Sequence, residues 1–110
     1  MAGFVKGDVV VLPFPFSNLS DSKRRPALVL SGLDGDDVIL CQITSQQIQD
    51  RYAVSLRDGD FASGSLKQAS NVRPNRIFTA DRSLVLYRVG NLKPAKLGEV
   101  VERLVEILRQ

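Results

Sequence analysis

Lys23-Arg24-Arg25-Pro26-Ala27-Leu28-Val29-Leu30-Ser31 joins three consecutive cations to a proline and a short apolar run. The apolar part, 27–31, is too short for a helix of its own and reads as a buried strand. Pro26 restricts Arg25 to extended backbone and presets its own φ, which suits the opening of a strand. Residues 32–37 are rich in glycine and aspartate and supply a turn, and 38–44 form the next apolar run. Strand, tight turn, strand argues an antiparallel hairpin. If the two runs pair, Arg25 and the hydroxyls of Thr44 and Ser45 share one rim of the sheet. A planar fork of donors beside hydroxyl donors is suited to holding a phosphate.

Upstream, 9–12 is a β-branched run that is apolar on both faces, as a central or barrel strand is. Pro13-Phe14-Pro15-Phe16 ends it and opens a loop of about a dozen residues, a length that is uncommon without function. Phe14 and Phe16 are expected to pin that loop onto the core; the other reading is a surface for a partner. Downstream, 45–50 is polar and is expected to make a short helical turn. Strands are expected at 52–56, 66–72, 77–80 and 84–89, with 73–76 connecting two of them. Residues 59–65 carry the glycine spacing of a phosphate-binding loop, but the lysine after the second glycine is missing and a strand follows, where that motif needs a helix. The motif is rejected.

From Pro94 the period changes. Leu97, Val100, Val101, Leu104, Val105 and Leu108 fall on one helical stripe, and Pro94 fits a first helical turn. Glu99 and Arg103 can pair at four-residue spacing. Gly98 costs about 1 kcal/mol against alanine in a helix, so this helix relies on docking to the sheet. The whole is expected to be a mainly β domain spanning 1–110, a small antiparallel barrel closed by a C-terminal helix.

Length and composition bound the chemistry. The 110 residues can bury roughly two-thirds of their unfolded surface, enough for one core without disulfides or metals. The net charge is +3, arginines outnumber lysines two to one, and all three glutamates fall in the last twelve residues. The body of the chain is therefore more basic than its total, which permits an anionic partner. No apolar run is long enough to span a membrane, and a cytoplasmic location without membrane contact is the expectation.

The chain has no histidine and a single cysteine, Cys41. Serine or cysteine nucleophile catalysis lacks its usual base, and a zinc site lacks its usual ligands. Cys41 sits mid-strand and reads as core. Asp34, Asp36 and Asp37 are explained by the turn, so no metal and no cofactor is expected. What remains is handling of a phosphodiester by arginine and hydroxyl groups. RNA carries its own nucleophile, the 2′-hydroxyl, and a protein that aligns it and stabilises the charge at phosphorus can cleave without metal.

Gly7-Asp8-Val9-Val10 with Pro13-Phe14-Pro15-Phe16, the Lys23–Ser31 stretch, Ile43-Thr44-Ser45-Gln46, Ser70-Asn71-Val72-Arg73-Pro74 and Gly90-Asn91-Leu92 together resemble the MazF/PemK family. These are toxins of type II toxin–antitoxin systems, and the likeness covers nearly the whole chain. It implies a Src-homology-3-like barrel, a homodimer, and metal-independent, sequence-selective cleavage of single-stranded mRNA to a 2′,3′-cyclic phosphate and a 5′-hydroxyl. It also implies a cognate antitoxin with an acidic tail, and contact with DNA only through that antitoxin. The family's catalytic arginine matches Arg25 and its catalytic threonine matches Thr44. Lys23, Arg24, Ser45, Gln46, Lys67, Asn71 and Arg73 are the candidate RNA contacts. Asp21 matches loosely an acidic position of the first long loop, and Ser70 stands where some members carry aspartate. An arginine keeps its charge at neutral pH, so phosphate stabilisation rather than proton donation is its implied role. Two other readings are a gyrase-inhibiting module of the CcdB type and a family member that binds antitoxin without cleaving RNA.

Overall fold

Val9, Val10 and Leu12 are fully buried although they point alternately to opposite sides of their strand, which requires both faces of the central sheet to be covered. The computed structural model describes residues 3–14 and 23–110 and shows how this is done. Among the described residues seven strands form one antiparallel sheet: β1 (Asp8–Phe14), β2 (Lys23–Gly32), β3 (Asp37–Thr44), β4 (Val54–Leu56), β5 (Phe61–Gly64), β6 (Ser70–Asp81) and β7 (Tyr87–Leu92). Their order is β4-β6-β3-β2-β1-β7-β5, a curled half-barrel with β4 and β5 at its edges. One helix, α1 (Pro94–Leu108), follows.

One face of the sheet gathers Val9, Leu28, Cys41, Ile43, Val72 and Leu92 under the buried Val100 of α1, with Leu97 and Leu104 packed alongside. The other gathers Val10, Leu12, Phe14, Ala27, Val29 and Leu40, with Phe4, Phe78 and Val85 against them. Leu97, Val100 and Leu104 of the helical stripe read from the sequence thus form the docking face, whereas Leu108 at the end of that stripe is exposed. Arg103 fastens α1 further by donating to the carbonyls of Arg51 (3.1 Å) and Ala53 (3.4 Å). The expected Glu99–Arg103 pair gives way to Lys96–Glu99 (3.0 Å) and Arg103–Glu106 (3.6 Å), one residue closer along the helix.

The Gly-Asp opening has a structural cause. Gly7 holds φ at +100°, where a side chain is strained, and its N–H and C=O bond Val29 and Leu92 on either side. Asp8 is buried and its carboxylate accepts the Val5 N–H (3.0 Å) and pairs with Arg88 (3.4 Å). Phe14 is buried and meets Phe78 edge to face, centroids 5.0 Å apart. It anchors the end of β1 in the core; Phe16 and the loop it was expected to pin lie outside the described residues.

Several expected elements differ. β1 runs on through Pro13, and β2 starts at Lys23, so the three cations stand within the strand rather than before it. Residues 45–50 are irregular, not helical. The rejected glycine motif contains β5, whereas 66–69 is a connection. The strands expected at 66–72 and 77–80 are one strand, β6, in which 73–76 absorbs a register shift: Gln42 faces Arg73 while Cys41 faces Ile77. Pro74 lacks the N–H a ladder needs, and such residues collect at bulges. Residues 84–86 precede β7 rather than belong to it.

Cys41 is fully buried in the core, and burial pushes its thiol from an ordinary 9.0 up to about 12. A neutral thiol is favoured in the fold, so this contribution to stability holds below pH 9 and is lost as pH rises toward 12. Ellman's reagent at pH 8 is expected to leave Cys41 unmodified until the chain is unfolded in guanidinium. Rapid modification of the folded protein would contradict the buried placement.

Candidate active site

The β1–β2 ladder pairs Leu12 with Arg25 and Val11 with Pro26. In the β2–β3 ladder Ala27 faces Gln42. Arg25 and Pro26 precede that last pair on β2 and Ile43 and Thr44 follow it on β3, so the four stand at the same end of the two strands. The β1–β7 ladder adds Tyr87 on the far side of Val11. A lateral row, Pro26-Val11-Tyr87, therefore crosses three strands at the end of the sheet where the cations stand.

That row is the floor of a cleft of about 280 Å³. Ile43 and Leu66 complete the apolar part, and Arg24, Arg25, Thr44, Ser45, Gln68 and Ser70 form its polar rim. Paired strands position Arg25 and Thr44; the 65–69 connection positions Leu66 and Gln68. Ser70 steadies that connection by donating from Oγ to the Gln68 carbonyl (3.2 Å).

Thr44 is only 6% exposed, and its Oγ1 accepts the Gln46 N–H at 3.1 Å. The backbone thus fixes the hydroxyl oxygen and leaves its proton to donate. Arg25 is half-buried and, among the described residues, has no ion-pair partner. No carboxylate is among the described residues that line the cleft. The site is an apolar floor rimmed by cationic and hydroxyl side chains, a lining that can seat a base and hold its phosphate. Among the described residues no group of three or more histidine, cysteine or acidic side chains could hold a metal ion.

The nine residues singled out from the sequence divide in two. Arg24, Arg25, Thr44 and Ser45 come together at the cleft. Lys23 and Gln46 flank it on the same strand ends, both exposed. Asn71 is half-buried on β6 opposite Thr44. Lys67 lies on the connection beyond Gln68 and faces a neighbouring hollow. Arg73 is turned to Asp50, with Nη2 at 3.3 Å and Nε at 3.4 Å from Oδ2, and both side chains are largely buried. Asp21 lies outside the described residues. Tyr87 was missed by sequence reasoning, although it is half exposed at the cleft. The available signal was an aromatic at a strand opening flanked by Arg88.

The Arg73–Asp50 pair braces β6 against the chain entering β4, since Asp50 Oδ1 also accepts the Tyr52 N–H (2.9 Å). A double-mutant cycle of Arg73→Ala and Asp50→Ala in urea is expected to give a coupling of about 1 kcal/mol. Strict additivity would mean that the pair adds nothing to the fold.

An antiparallel half-barrel with a C-terminal helix is the fold of solved MazF toxins. MazF from Deinococcus radiodurans superposes with TM-score 0.75 at 26% identity, covering 100% of both chains. The MazE-MazF complex from the same organism gives 0.76 at 25% identity over 97% of each chain. A mycobacterial endoribonuclease in complex with its cognate antitoxin gives 0.78 at 16% identity, over 97% of this chain and 96% of that one. Residues 5–108 match the model of the PemK-like, MazF-like toxins of type II toxin–antitoxin systems, and the chain belongs to that family. No curated protein matches the sequence.

Proposed function

We propose that this chain is a sequence-selective endoribonuclease acting on single-stranded mRNA, the toxin of a type II toxin–antitoxin pair. The observation that carries the reading is the meeting of Arg25 and Thr44 on the rim of an apolar-floored cleft in a chain of this family. An unpaired base lies over Pro26 and the edge of Val11, with the Tyr87 ring at the end of the row; bases unstacked from RNA are held in this way by aromatic side chains. The backbone phosphate then sits at the rim. Arg25 holds two of its oxygens through the planar guanidinium, and Thr44 donates its hydroxyl proton to an oxygen whose charge grows in the transition state.

The 2′-hydroxyl of the upstream ribose attacks phosphorus as it loses its proton. The P–O5′ bond breaks, and the departing 5′-oxygen takes up a proton. The products are a 2′,3′-cyclic phosphate and a 5′-hydroxyl, with no change in oxidation state and no cofactor required. Fixing nucleophile and phosphorus in line is the proximity part of the catalysis. The protein acts as a homodimer in the cytoplasm and is silenced by an acidic antitoxin that competes for the same cationic rim. Any DNA contact runs through that antitoxin.

The test is incubation of the purified protein with a long single-stranded RNA in excess EDTA, with end-group analysis of the fragments. Discrete fragments bearing cyclic phosphate and 5′-hydroxyl ends are expected. Intact RNA beside a folded protein would reject cleavage and favour a binding module of the same fold.

A further inference from the structure

On another side of Gln68 lies a second hollow of about 420 Å³, lined by Arg57, Asp58, Gly59, Lys67, Gln68 and Ala69. Gln68 lines both spaces, so a strand leaving the first can enter the second. The charges here are arranged unevenly. Asp58 Oδ1 accepts the Ser65 hydroxyl (2.6 Å), and the nearby Asp60 carboxylate accepts the Arg57 N–H (2.8 Å) and pairs with Lys96 (3.7 Å). Arg57 and Lys67, by contrast, form no ion pair among the described residues.

The wall is also built to hold its shape. Lys67 is the one described residue other than glycine with positive φ, +66°, and its N–H is held by Ser65 Oγ at 2.9 Å. The same Ser65 is fastened to Asp58, so the two sides of the hollow are cross-linked. The Asp58–Asp60 turn is tied in turn to the start of α1, where the Lys93 N–H meets the Asp60 carbonyl (2.8 Å). Backbone strain of this kind persists where the surroundings over-determine it and gathers at ligand clamps.

The geometry points to a second phosphate subsite, in which Arg57 and Lys67 hold a phosphate flanking the scissile one on the same RNA strand. It rests on the endoribonuclease reading above and extends it: the chain grips RNA over a longer span than the cleaved dinucleotide. An acidic peptide would also answer to two cations, but the wall that Gln68 shares with the cleft favours the strand that already occupies it.

The experiment measures binding of 2′-O-methyl oligouridylates, which cannot be cleaved, to the full chain over a range of salt concentrations. A dodecanucleotide and a trinucleotide serve as long and short probes. The Arg57→Gln/Lys67→Gln variant is expected to bind the long probe about tenfold more weakly at low salt. Its log–log salt slope should be shallower by about 1.4, from two contacts at about 0.7 each on a single strand. Binding of the trinucleotide should be unchanged. Lys67→Gly, which removes the cation and relieves the positive φ, should stay folded and give about half the slope change. An unchanged slope on the long probe overturns the subsite, as does equal loss on both probes. Impaired binding of a polyglutamate peptide with RNA slopes intact also overturns it, in favour of a protein ligand. A wild type that shows the steeper slope on the long probe yet leaves ordinary RNA intact keeps the subsite and rejects cleavage. One that binds neither probe overturns the subsite, and cleavage is then judged by the incubation with long RNA alone.

Discussion

Arg25→Ala is expected to slow cleavage of single-stranded RNA by about a hundred- to a thousandfold, the usual cost of removing one charge-stabilising donor. The loss should fall on the rate at saturating RNA, because Arg24 and the apolar floor still hold the strand. Arg25→Lys should recover only a small part, since an ammonium offers a point charge and not a planar fork. Thr44→Ala should give a loss of similar size, and Thr44→Ser should restore most of it because the hydroxyl returns. Both alanine variants should remain folded: Arg25 stands at the strand opening, and Thr44 gives up one hydrogen bond, to the Gln46 N–H. Single-turnover cleavage with urea unfolding in parallel separates the two effects. An Arg25→Ala protein that cleaves at the wild-type rate would move the chemistry elsewhere.

The second large effect is structural. Gly64→Ala is expected to destabilise the fold by about 3 kcal/mol or more, from a strained left-handed residue and an overpacked crossing together. Gly64 holds φ at +77°, and a Cβ there would run into the Val89 carbonyl oxygen and come within 2.6 Å of Gly90 Cα. Gly90 meets the reciprocal limit, its own Cβ colliding with the Ser63 carbonyl oxygen. The two glycines are partners in the β5–β7 ladder, and the strands approach this closely only because neither has a side chain. Gly98→Ala is the contrasting case. Its Cβ would meet nothing within 4 Å, and alanine in a helix should stabilise the protein by up to about 1 kcal/mol. Urea unfolding of the two variants reads both; equal stability of Gly64→Ala and wild type would contradict the β5–β7 crossing.

These two sites show what a sequence can and cannot announce. The centre of the sheet was legible because Val9–Leu12 and Ala27–Leu30 are apolar on both faces, and the helix because its stripe keeps a single period. Arg25 and Thr44 were legible as neighbours because both stand at strand ends joined by one short turn. β5 was not, since Phe61-Ala62-Ser63-Gly64 has neither length nor alternation; its place comes from the glycine crossing with β7, which is distant in sequence. β6 was read as two strands because Pro74 is a break signal, and only pairing with β3 on both sides of it makes one strand. Tyr87 and Gln68 reach the cleft from β7 and the 65–69 connection, a juxtaposition set by topology and carried by no local pattern. Arg73 looked like one more basic contact. Its tie to Asp50 depends on the irregular path of 45–53, which was expected to be helical in part.

The measurement that bears most directly on the account is cleavage of an RNA with a single deoxyribose at the nucleotide whose 2′-hydroxyl would attack. If the cleft works by aligning the substrate's own hydroxyl against a phosphate held by Arg25 and Thr44, that one bond should resist cleavage while an all-ribose control is cut there. Cutting at the deoxy position at the control rate would mean that the nucleophile comes from elsewhere, and the assignment of this cleft would fail.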